Sequence, residues 1–296
     1  MGIKFSTRTG SVAGSHRAGA SVAGVGDVAL EVSDLVVRAD NSRGFSELLH
    51  GVSLQVASGT MHGLVGETGS GKSMTAAAVM GLLPKGVSVV SGSIKLRDRE
   101  LVGLGPKELH DLRGPAFGMV FQNPRTALHP MYNVGTQMSR VLEAHTGFSR
   151  RERRARIFEF LRMAGIAEPQ RIAQAYPHEL SGGLAQRVVI ATSLICDPTF
   201  LIADEPTTGL DATVQRQILE LLARLQGELG LSVLMITHDL SIVAQYCASV
   251  SVMHVGDVVE SGKVRQVLHT PTASYTQKLL RASRLEFVTQ RERATA

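Results

Sequence analysis

Eight consecutive residues from position 66 carry backbone and side-chain groups suited to binding phosphates. In order they are Gly66, Glu67, Thr68, Gly69, Ser70, Gly71, Lys72 and Ser73, which fits G-x-x-x-x-G-K-[ST]. The glycines let successive N–H groups curl around a phosphate, and a following helix adds its positive end. Lys72 would neutralise charge on the β- and γ-phosphates, and the Ser73 hydroxyl can bind Mg²⁺. This phosphate loop predicts a nucleoside-triphosphate site.

A second candidate lies where an apolar strand ends in two carboxylates. Asp204 and Glu205 directly follow the apolar segment Phe200–Ala203. Asp204 suits the outer shell of Mg²⁺, and Glu205 suits a water aligned on the γ-phosphate. A strand that simply surfaces into a polar loop gives the same pattern, but the phosphate loop favours catalysis. A further apolar segment, Leu231–Thr237, ends in the same way at His238.

A third candidate precedes the apolar helical segment Val188–Ile195. Ser181 is suited to cap a helix, and Gly182 and Gly183 leave backbone N–H groups uncovered, which would make a second anion site. An ordinary capped helix has the same signature. Ser181 stands only 23 positions before Asp204, and this spacing favours a functional role.

Alternating and apolar segments predict the elements that must position these residues. A helix is expected over Ser73–Leu83, and a long, mostly helical stretch over roughly 134–195. Strands are expected over Val28–Val37, Val52–Val56, Met61–Val65, Phe117–Phe121, Phe200–Ala203 and Leu231–Thr237. The segment Ser249–Val259 alternates and ends at Ser261-Gly262, as a terminal hairpin would. Strands separated by helices predict a parallel α/β sheet with a helical insertion and antiparallel strands at its margins.

The composition excludes several classes of protein. The chain has 296 residues, of which 44% are hydrophobic and 19% charged, which is ordinary for a packed protein. No apolar run approaches the ~18 residues of a membrane span. Two cysteines cannot form a disulfide framework, and a reducing compartment is the simpler interpretation. Secreted scaffolds, collagens, coiled coils and integral membrane proteins are therefore excluded.

Two segments have a biased composition. Residues 1–27 are rich in Gly, Ser and Ala and repeat the tetrapeptide SVAG, which predicts a disordered leader, although a transit peptide has a similar composition. The net charge is +5, and five arginines fall within Arg150–Arg156. Such a run can meet nucleic-acid or lipid phosphates, but a solvated helix face is commoner. Without Trp or an interleaved aromatic platform, the sequence predicts no nucleic-acid binding.

Read in order, the segments GETGSGKS, FQNP, LSGGLAQR, LIADEP, GLD and ITHD resemble the ATP-binding cassette (ABC) ATPases. The LSGG element separates this family from other P-loop ATPases. The resemblance covers residues 28–282 and leaves a tail at 283–296. It implies a P-loop NTPase with a RecA-like α/β core, an antiparallel β subdomain and an inserted helical subdomain at about 124–195. It also implies ATP and Mg²⁺ as cofactors.

The resemblance implies roles for the hydrolytic residues. Gln122 matches the Q-loop glutamine, which contacts Mg²⁺ and the attacking water and senses the transmembrane partner. Glu205 matches the general base, and His238 matches the switch histidine on the γ-phosphate. With Ser73 and Asp204 as the other residues near Mg²⁺, every catalytic position is filled, which predicts a working ATPase.

Other positions imply a head-to-tail dimer with ATP between two chains. Ser181, Gly182 and Gly183 match the signature that holds the partner's γ-phosphate, and Asp211 matches the D-loop. Two departures stand out. Leu184 replaces a common Gln, and Arg38 and Ala39 stand where an aromatic side chain usually stacks on adenine. Phe45, in the following loop, is a candidate replacement.

Longer stretches resemble the dipeptide, oligopeptide and nickel importers: FQNPRTALHPMYNVGTQM, YPHELSGG, ADEPTTGLD and PTASYTQKLL. This resemblance implies an ATPase that lies peripherally on the cytoplasmic face of the inner membrane. Its implied partners are two transmembrane permeases, a second, related ATPase subunit and an extracytoplasmic solute-binding protein. A cassette of a soluble complex, such as carbon–phosphorus bond cleavage machinery, is the alternative. A DNA-repair or translation cassette is disfavoured because the chain has one cassette and no heptads.

Overall fold

The computed structural model describes residues 27–41 and 44–283. The expected leader therefore lies outside the described residues except for Asp27, and so does the expected tail beyond Ser283. The strands are β1 (Val28–Asn41), β2 (Gly44–Ala57), β3 (Met61–Val65), β4 (Val87–Leu96), β5 (Arg99–Glu100), β6 (Phe117–Val120), β7 (Phe200–Asp204), β8 (Ser232–Thr237), β9 (Ser249–His254) and β10 (Asp257–Lys263). They form two sheets, with the orders β2-β1-β4-β5 and β10-β9-β3-β8-β7-β6.

The helices lie between and around these strands. They are α1 (Lys72–Met80), α2 (Pro106–Leu112), α3 (Pro124–Ala127), α4 (Val134–His145), α5 (Arg150–Met163), α6 (Pro169–Gln174), α7 (Gly182–Leu194), α8 (Ala212–Leu229), α9 (Leu240–Tyr246) and α10 (Val264–His269). Residues 274–283 are also helical. Within the described ranges, no helix is long and apolar enough to cross a membrane.

The six-stranded sheet is parallel from β6 to β9, and only β10 runs the other way. Every residue of β3, β7 and β8 is buried, as expected for strands covered on both faces. In register, Val65 pairs with Thr237, and Val120 pairs with Ala203. The carboxyl ends of β3, β8, β7 and β6 therefore meet at one edge, where the candidate site residues follow.

The four-stranded sheet is antiparallel, and the sequence pattern predicts only part of it. β1 and β2 are each 14 residues long, longer than the predicted segments, and their pairing has register shifts at several points. β4 is not predicted at all: several of its residues are exposed, and Gly92 interrupts it with a φ of +98°. The terminal hairpin differs too, since its turn lies at Val255-Gly256 and β10 continues through Ser261-Gly262.

Helices α3 to α7 lie within the segment 124–195. The apolar faces of α4 to α7 share one cluster that includes Met138, Leu142, Leu161 and Ile190, all essentially inaccessible to solvent. The arginine run begins α5, whose first turn is capped by Ser149 and Glu152. Most of these arginines face solvent, as expected for a solvated helix face.

Candidate functional site

The phosphate loop joins β3 to α1 in a conformation that requires its glycines. Gly69 and Gly71 have φ angles of +85° and +108°. At Gly66, a Cβ atom would lie 2.2 Å from the carbonyl oxygen of Met253, so any side chain would displace the neighbouring strand. The loop is thus shaped by backbone geometry that only glycine permits at these positions.

Lys72 is the first residue of α1 and is 5% exposed. Its Nζ donates hydrogen bonds to the carbonyl oxygens of Gly66 and Glu67, each at 2.8 Å. Burial lowers the pKa of Lys72, while the negative charges of Glu205 and Asp204 raise it. The ammonium group therefore lies inside the loop and beside the carboxylates.

The next residue of the loop contacts the end of β7. Ser73 Oγ donates a hydrogen bond to Asp204 Oδ1 at 3.2 Å. Burial raises the pKa of Asp204, the neighbouring charge of Glu205 raises it further, and the bond from Ser73 opposes both effects. A hydroxyl and a mostly buried carboxylate are thus adjacent at the mouth of the phosphate loop.

Glu205 is the centre of the site. Gln122 Nε2 and Thr208 Oγ1 donate hydrogen bonds to Glu205 Oε2 at 3.0 and 2.8 Å, and His238 Nδ1 lies 3.3 Å from Oε1. The backbone of Glu205 has a φ of +44°, which is rare for a residue with a side chain. Its own N–H donates to the carbonyl oxygen of Ile236 at 2.9 Å. Two segments that are distant in sequence, those that follow β6 and β8, therefore converge with the local turn at Thr208 on one carboxylate.

The charge state of Glu205 follows from these contacts. Burial raises its pKa, but the hydrogen bonds from Thr208 and His238, together with the nearby charges of His238 and Lys72, lower it below the ordinary value. Glu205 is thus ionised at neutral pH and can accept a proton. Its Oε1 atom is an acceptor next to the ring of His238.

The signature and D-loop residues lie elsewhere in the chain. Ser181 caps α7, and its Oγ accepts from the N–H of Leu184 at 3.3 Å. Asp211 caps α8 and accepts from the N–H groups of Thr213 and Val214 at 3.0 Å. Among the described residues, no hydrogen bond joins either cap to the phosphate loop. The side chains of both caps are therefore bonded to the first turns of their own helices.

The glycines of the signature serve close packing between these helices. A Cβ atom on Gly183 would lie 2.7 Å from Val214 Cγ1, and one on Gly182 would lie 3.2 Å from Leu210 Cδ2. The signature segment thus packs directly on the D-loop and the first turn of α8.

Phe45 lies within β2, where it pairs with Asp40 of β1, so the expectation that it lies in a loop is wrong. The residue is 64% exposed, and the guanidinium carbon of Arg38 lies over its ring, 4.8 Å from the centroid.

Two contacts of the site were not predicted from the sequence. Thr208 donates to Glu205, and its position three residues after the carboxylate, in a turn, is the only local signal for it. Tyr275 reaches the phosphate loop from the C-terminal segment, where its hydroxyl accepts a hydrogen bond from the N–H of Glu67 at 3.3 Å. This contact joins residues 208 positions apart, and the local pattern carries no signal for it.

Comparison with known proteins agrees with this geometry. The family profile described as ABC transporter matches residues 49–208. A probable peptide ABC transporter ATP-binding protein of Sinorhizobium fredii, y4tR, is 42% identical over 255 residues, covering 86% of this chain and 76% of the relative. The dipeptide transport ATP-binding protein DppD of Haemophilus influenzae is 41% identical over 253 residues, covering 86% and 77%.

The fold of this chain is also similar to that of solved ABC cassette structures. The dimeric, post-hydrolysis cassette MJ0796 bound to ADP and Pi has a TM-score of 0.71 and 28% identity, covering 80% of this chain and 99% of that one. The predicted fold class and the resemblance to ABC ATPases are thereby confirmed. This chain belongs to the ABC transporter family and is one of its ATP-binding, ATP-hydrolysing subunits.

Proposed function

We propose that this chain energises a peptide importer by binding ATP with Mg²⁺ at the edge where the phosphate loop meets Glu205. The convergence of Gln122, Thr208 and His238 on that carboxylate is the observation that carries the proposal. The names of the relatives, which include peptide and dipeptide transport ATP-binding proteins, support the class of solute.

The hydrolytic step follows from the groups at the site. A water oxygen attacks the γ-phosphorus, the bond to the β–γ bridging oxygen breaks, and Glu205 accepts the proton that the water loses. Gln122 and His238 flank the Glu205 carboxylate and would hold the water and the γ-phosphate in line. Lys72, held inside the loop, would neutralise charge on the β- and γ-phosphates.

The donor set at the mouth of the loop fits Mg²⁺. Ser73 Oγ and Asp204 Oδ1 are hard oxygen donors 3.2 Å apart, and the Gln122 amide contacts the same cluster through Glu205. Burial of Asp204 favours a cation partner, because a buried carboxylate is costly to ionise without one. When bound, the ion would neutralise charge that develops on the phosphates.

A second cassette would complete the site. Ser181, Gly182, Gly183 and Asp211 form a polar surface that makes no hydrogen bond to the phosphate loop within the described residues, and Ser181 caps the 13-residue helix α7. We assign this surface to the ATP bound by the other cassette of a dimer. That other cassette is proposed to be a second, related ATPase subunit, which makes the dimer a heterodimer.

The permeases would dock beside Gln122. A largely apolar groove of about 280 Å³ lies between the core and the helical subdomain, and its lining includes Leu82, Phe121, Leu128 and Val189. Phe121 is 42% exposed and directly precedes Gln122. An apolar face of a permease's cytoplasmic helix fits this groove. When ATP closes the two cassettes, this movement would thus be transmitted to the two permeases. An extracytoplasmic binding protein would deliver the solute to those permeases.

The test is affinity purification of the full chain from gently solubilised membranes of its own organism. Two polytopic permeases and a second cassette ATPase should co-purify at equal stoichiometry, and the chain should lie peripherally on the cytoplasmic face of the inner membrane. Recovery with soluble partners only, and absence from the membrane fraction, would contradict transport.

A further inference from the structure

The C-terminal segment of the described chain contacts the phosphate loop at one point. Tyr275, in the helical stretch 274–283, accepts a hydrogen bond through its hydroxyl from the N–H of Glu67 at 3.3 Å. The ring of Tyr275 stacks on that of His254, with centroids 3.9 Å apart and planes inclined by 23°. The phenol is therefore fixed both by its ring and by its oxygen.

The segment that carries Tyr275 is itself anchored. Glu260, in β10, accepts hydrogen bonds from the N–H groups of Thr272 and Ala273 at 2.8 and 3.1 Å, just before the helical stretch begins. Tyr275, with Leu279 and Leu280, packs against an apolar cluster built mainly on α9, β9 and α10. The position of the hydroxyl is thus set by the core rather than by a loose chain end.

The same side of the phosphate loop contacts the β9–β10 hairpin. The N–H of Gly256 donates to the carbonyl oxygen of Ser70 at 2.9 Å, and Met253 closes the space at Gly66. His254, on which Tyr275 stacks, lies between these two hairpin residues. Tyr275 therefore extends the support of the hairpin to the first residue after Gly66.

The contact at Glu67 has a direct relation to Lys72. The carbonyl oxygen of Glu67 accepts a hydrogen bond from Lys72 Nζ, while the N–H of the same residue donates to Tyr275. Glu67 is therefore hydrogen-bonded both to Lys72, through its carbonyl oxygen, and to Tyr275, through its N–H group. Releasing its N–H would loosen the backbone against which the ammonium group is held.

We propose that Tyr275 is a positioning residue of the ATP site, which holds the phosphate loop in its binding conformation through the N–H of Glu67. The proposal rests on the proposed function of the loop as the site of ATP. Tyr275 does not reach the reacting atoms. It lowers the conformational cost of binding, since a pre-arranged loop loses less freedom when phosphate enters.

The variant Tyr275→Phe tests this in the full chain, because it keeps the stacked ring and removes only the hydroxyl group that accepts from the N–H of Glu67. The Kd for ATP should rise about 3- to 10-fold, the effect of one neutral hydrogen bond. The KM for ATP should rise in parallel, with kcat unchanged at saturating ATP. Hydrogen–deuterium exchange of the phosphate loop should become faster in the nucleotide-free protein.

Tyr246→Phe is the matched control. Tyr246 is also partly buried against the core, and its hydroxyl makes no hydrogen bond among the described residues. Its Kd for ATP and its loop exchange should equal those of wild type. If Tyr275→Phe and wild type bind ATP with equal Kd values, the inference about Tyr275 is wrong, whether or not Tm falls. The proposed function would not be affected by that result. Failure of the wild-type chain to bind ATP would overturn the proposed function and this inference with it.

Discussion

Gln122 Nε2 donates a hydrogen bond to Glu205 Oε2 at 3.0 Å and so links residues 83 positions apart in sequence. The two residues follow neighbouring parallel strands, β6 and β7, whose register brings their carboxyl ends together. Phe121, the residue before Gln122, lines the apolar groove. On the proposed function, a partner in this groove would lie one residue from the side chain that holds the proposed base. The contact would then give a short physical route from docking to hydrolysis.

Replacing Glu205 by Gln should separate binding from hydrolysis. The amide cannot accept a proton from water, so turnover of ATP should fall by roughly 10²–10⁴-fold, the contribution of a positioned base. The Kd for ATP should stay within a few-fold of wild type, since Lys72 and the loop amides are unchanged. Phosphate release and equilibrium binding measure the two quantities. Glu220→Gln, on an exposed face of α8, is the control, and turnover of Glu205→Gln near the wild-type rate would refute the role.

Thr208→Val should shift the pH dependence of hydrolysis. The hydrogen bond from Thr208 is among the effects that lower the pKa of Glu205, so its loss should raise that pKa. Because the base acts in its ionised form, activity rises as pH increases through its pKa, and the acidic limb of the kcat/KM profile should move to higher pH. A profile that coincides with wild type would show that Thr208 does not set the charge of the base.

The role of the signature can be tested by Ser181→Arg. If Ser181 faces the ATP of another cassette, a bulky cation there should block ATP-dependent association with that cassette, while ATP binding by the isolated chain persists. Light scattering of Glu205→Gln proteins, which retain ATP, would report the association. The loss of the helix cap itself costs about 1 kcal/mol. Ser149→Arg removes the equivalent cap of α5 and should leave association intact. Loss of ATP binding by isolated Ser181→Arg would instead indicate a local structural role.

The sequence predicts the core of this site well because its signals are local. The phosphate loop lies between an apolar strand and a helix, and Asp204 and Glu205 follow a strand that is buried throughout. In the sequence, such a strand is a short apolar run, and the residue at which it ends is easily located. The adjacent strands then bring Gln122 and His238 to the same edge, as parallel topology requires.

What the sequence does not predict depends on tertiary structure. Tyr275 meets Glu67 only because β9, β10 and the last helical stretch fold back beside the loop. β4 carries exposed side chains and a glycine with positive φ, so its alternation is too weak to mark a strand. The predicted first strand ends at Val37 because the last residues of β1, Arg38 to Asn41, have no apolar alternation and are extended only through pairing with β2. Each difference arises from long-range pairing rather than from local preference.

His62 should make folding stability depend on pH. It lies on β3, is 2% exposed, and its ring nitrogens lie 2.7 Å from Ser249 Oγ and 3.0 Å from Ser251 Oγ. Burial lowers the pKa of His62 to about 4, whereas an exposed histidine titrates near 6.5. Between these two values the unfolded chain binds a proton that the folded chain does not. The free energy of unfolding therefore falls as pH decreases through this window.

The size of the pH effect on the free energy of unfolding follows from the two pKa values of His62. From pH 7.5 to pH 5, His62 should account for a loss of about 2 kcal/mol in the free energy of unfolding, since one pKa unit corresponds to about 1.4 kcal/mol. His62→Gln keeps hydrogen-bonding groups beside both serines and cannot titrate. Urea unfolding at the two pH values should show a loss smaller by about that amount in the variant. His269→Gln, at an exposed position, should behave as wild type. An equal loss in His62→Gln and wild type would mean that other groups cause the acid sensitivity, and that the buried imidazole is protonated without penalty.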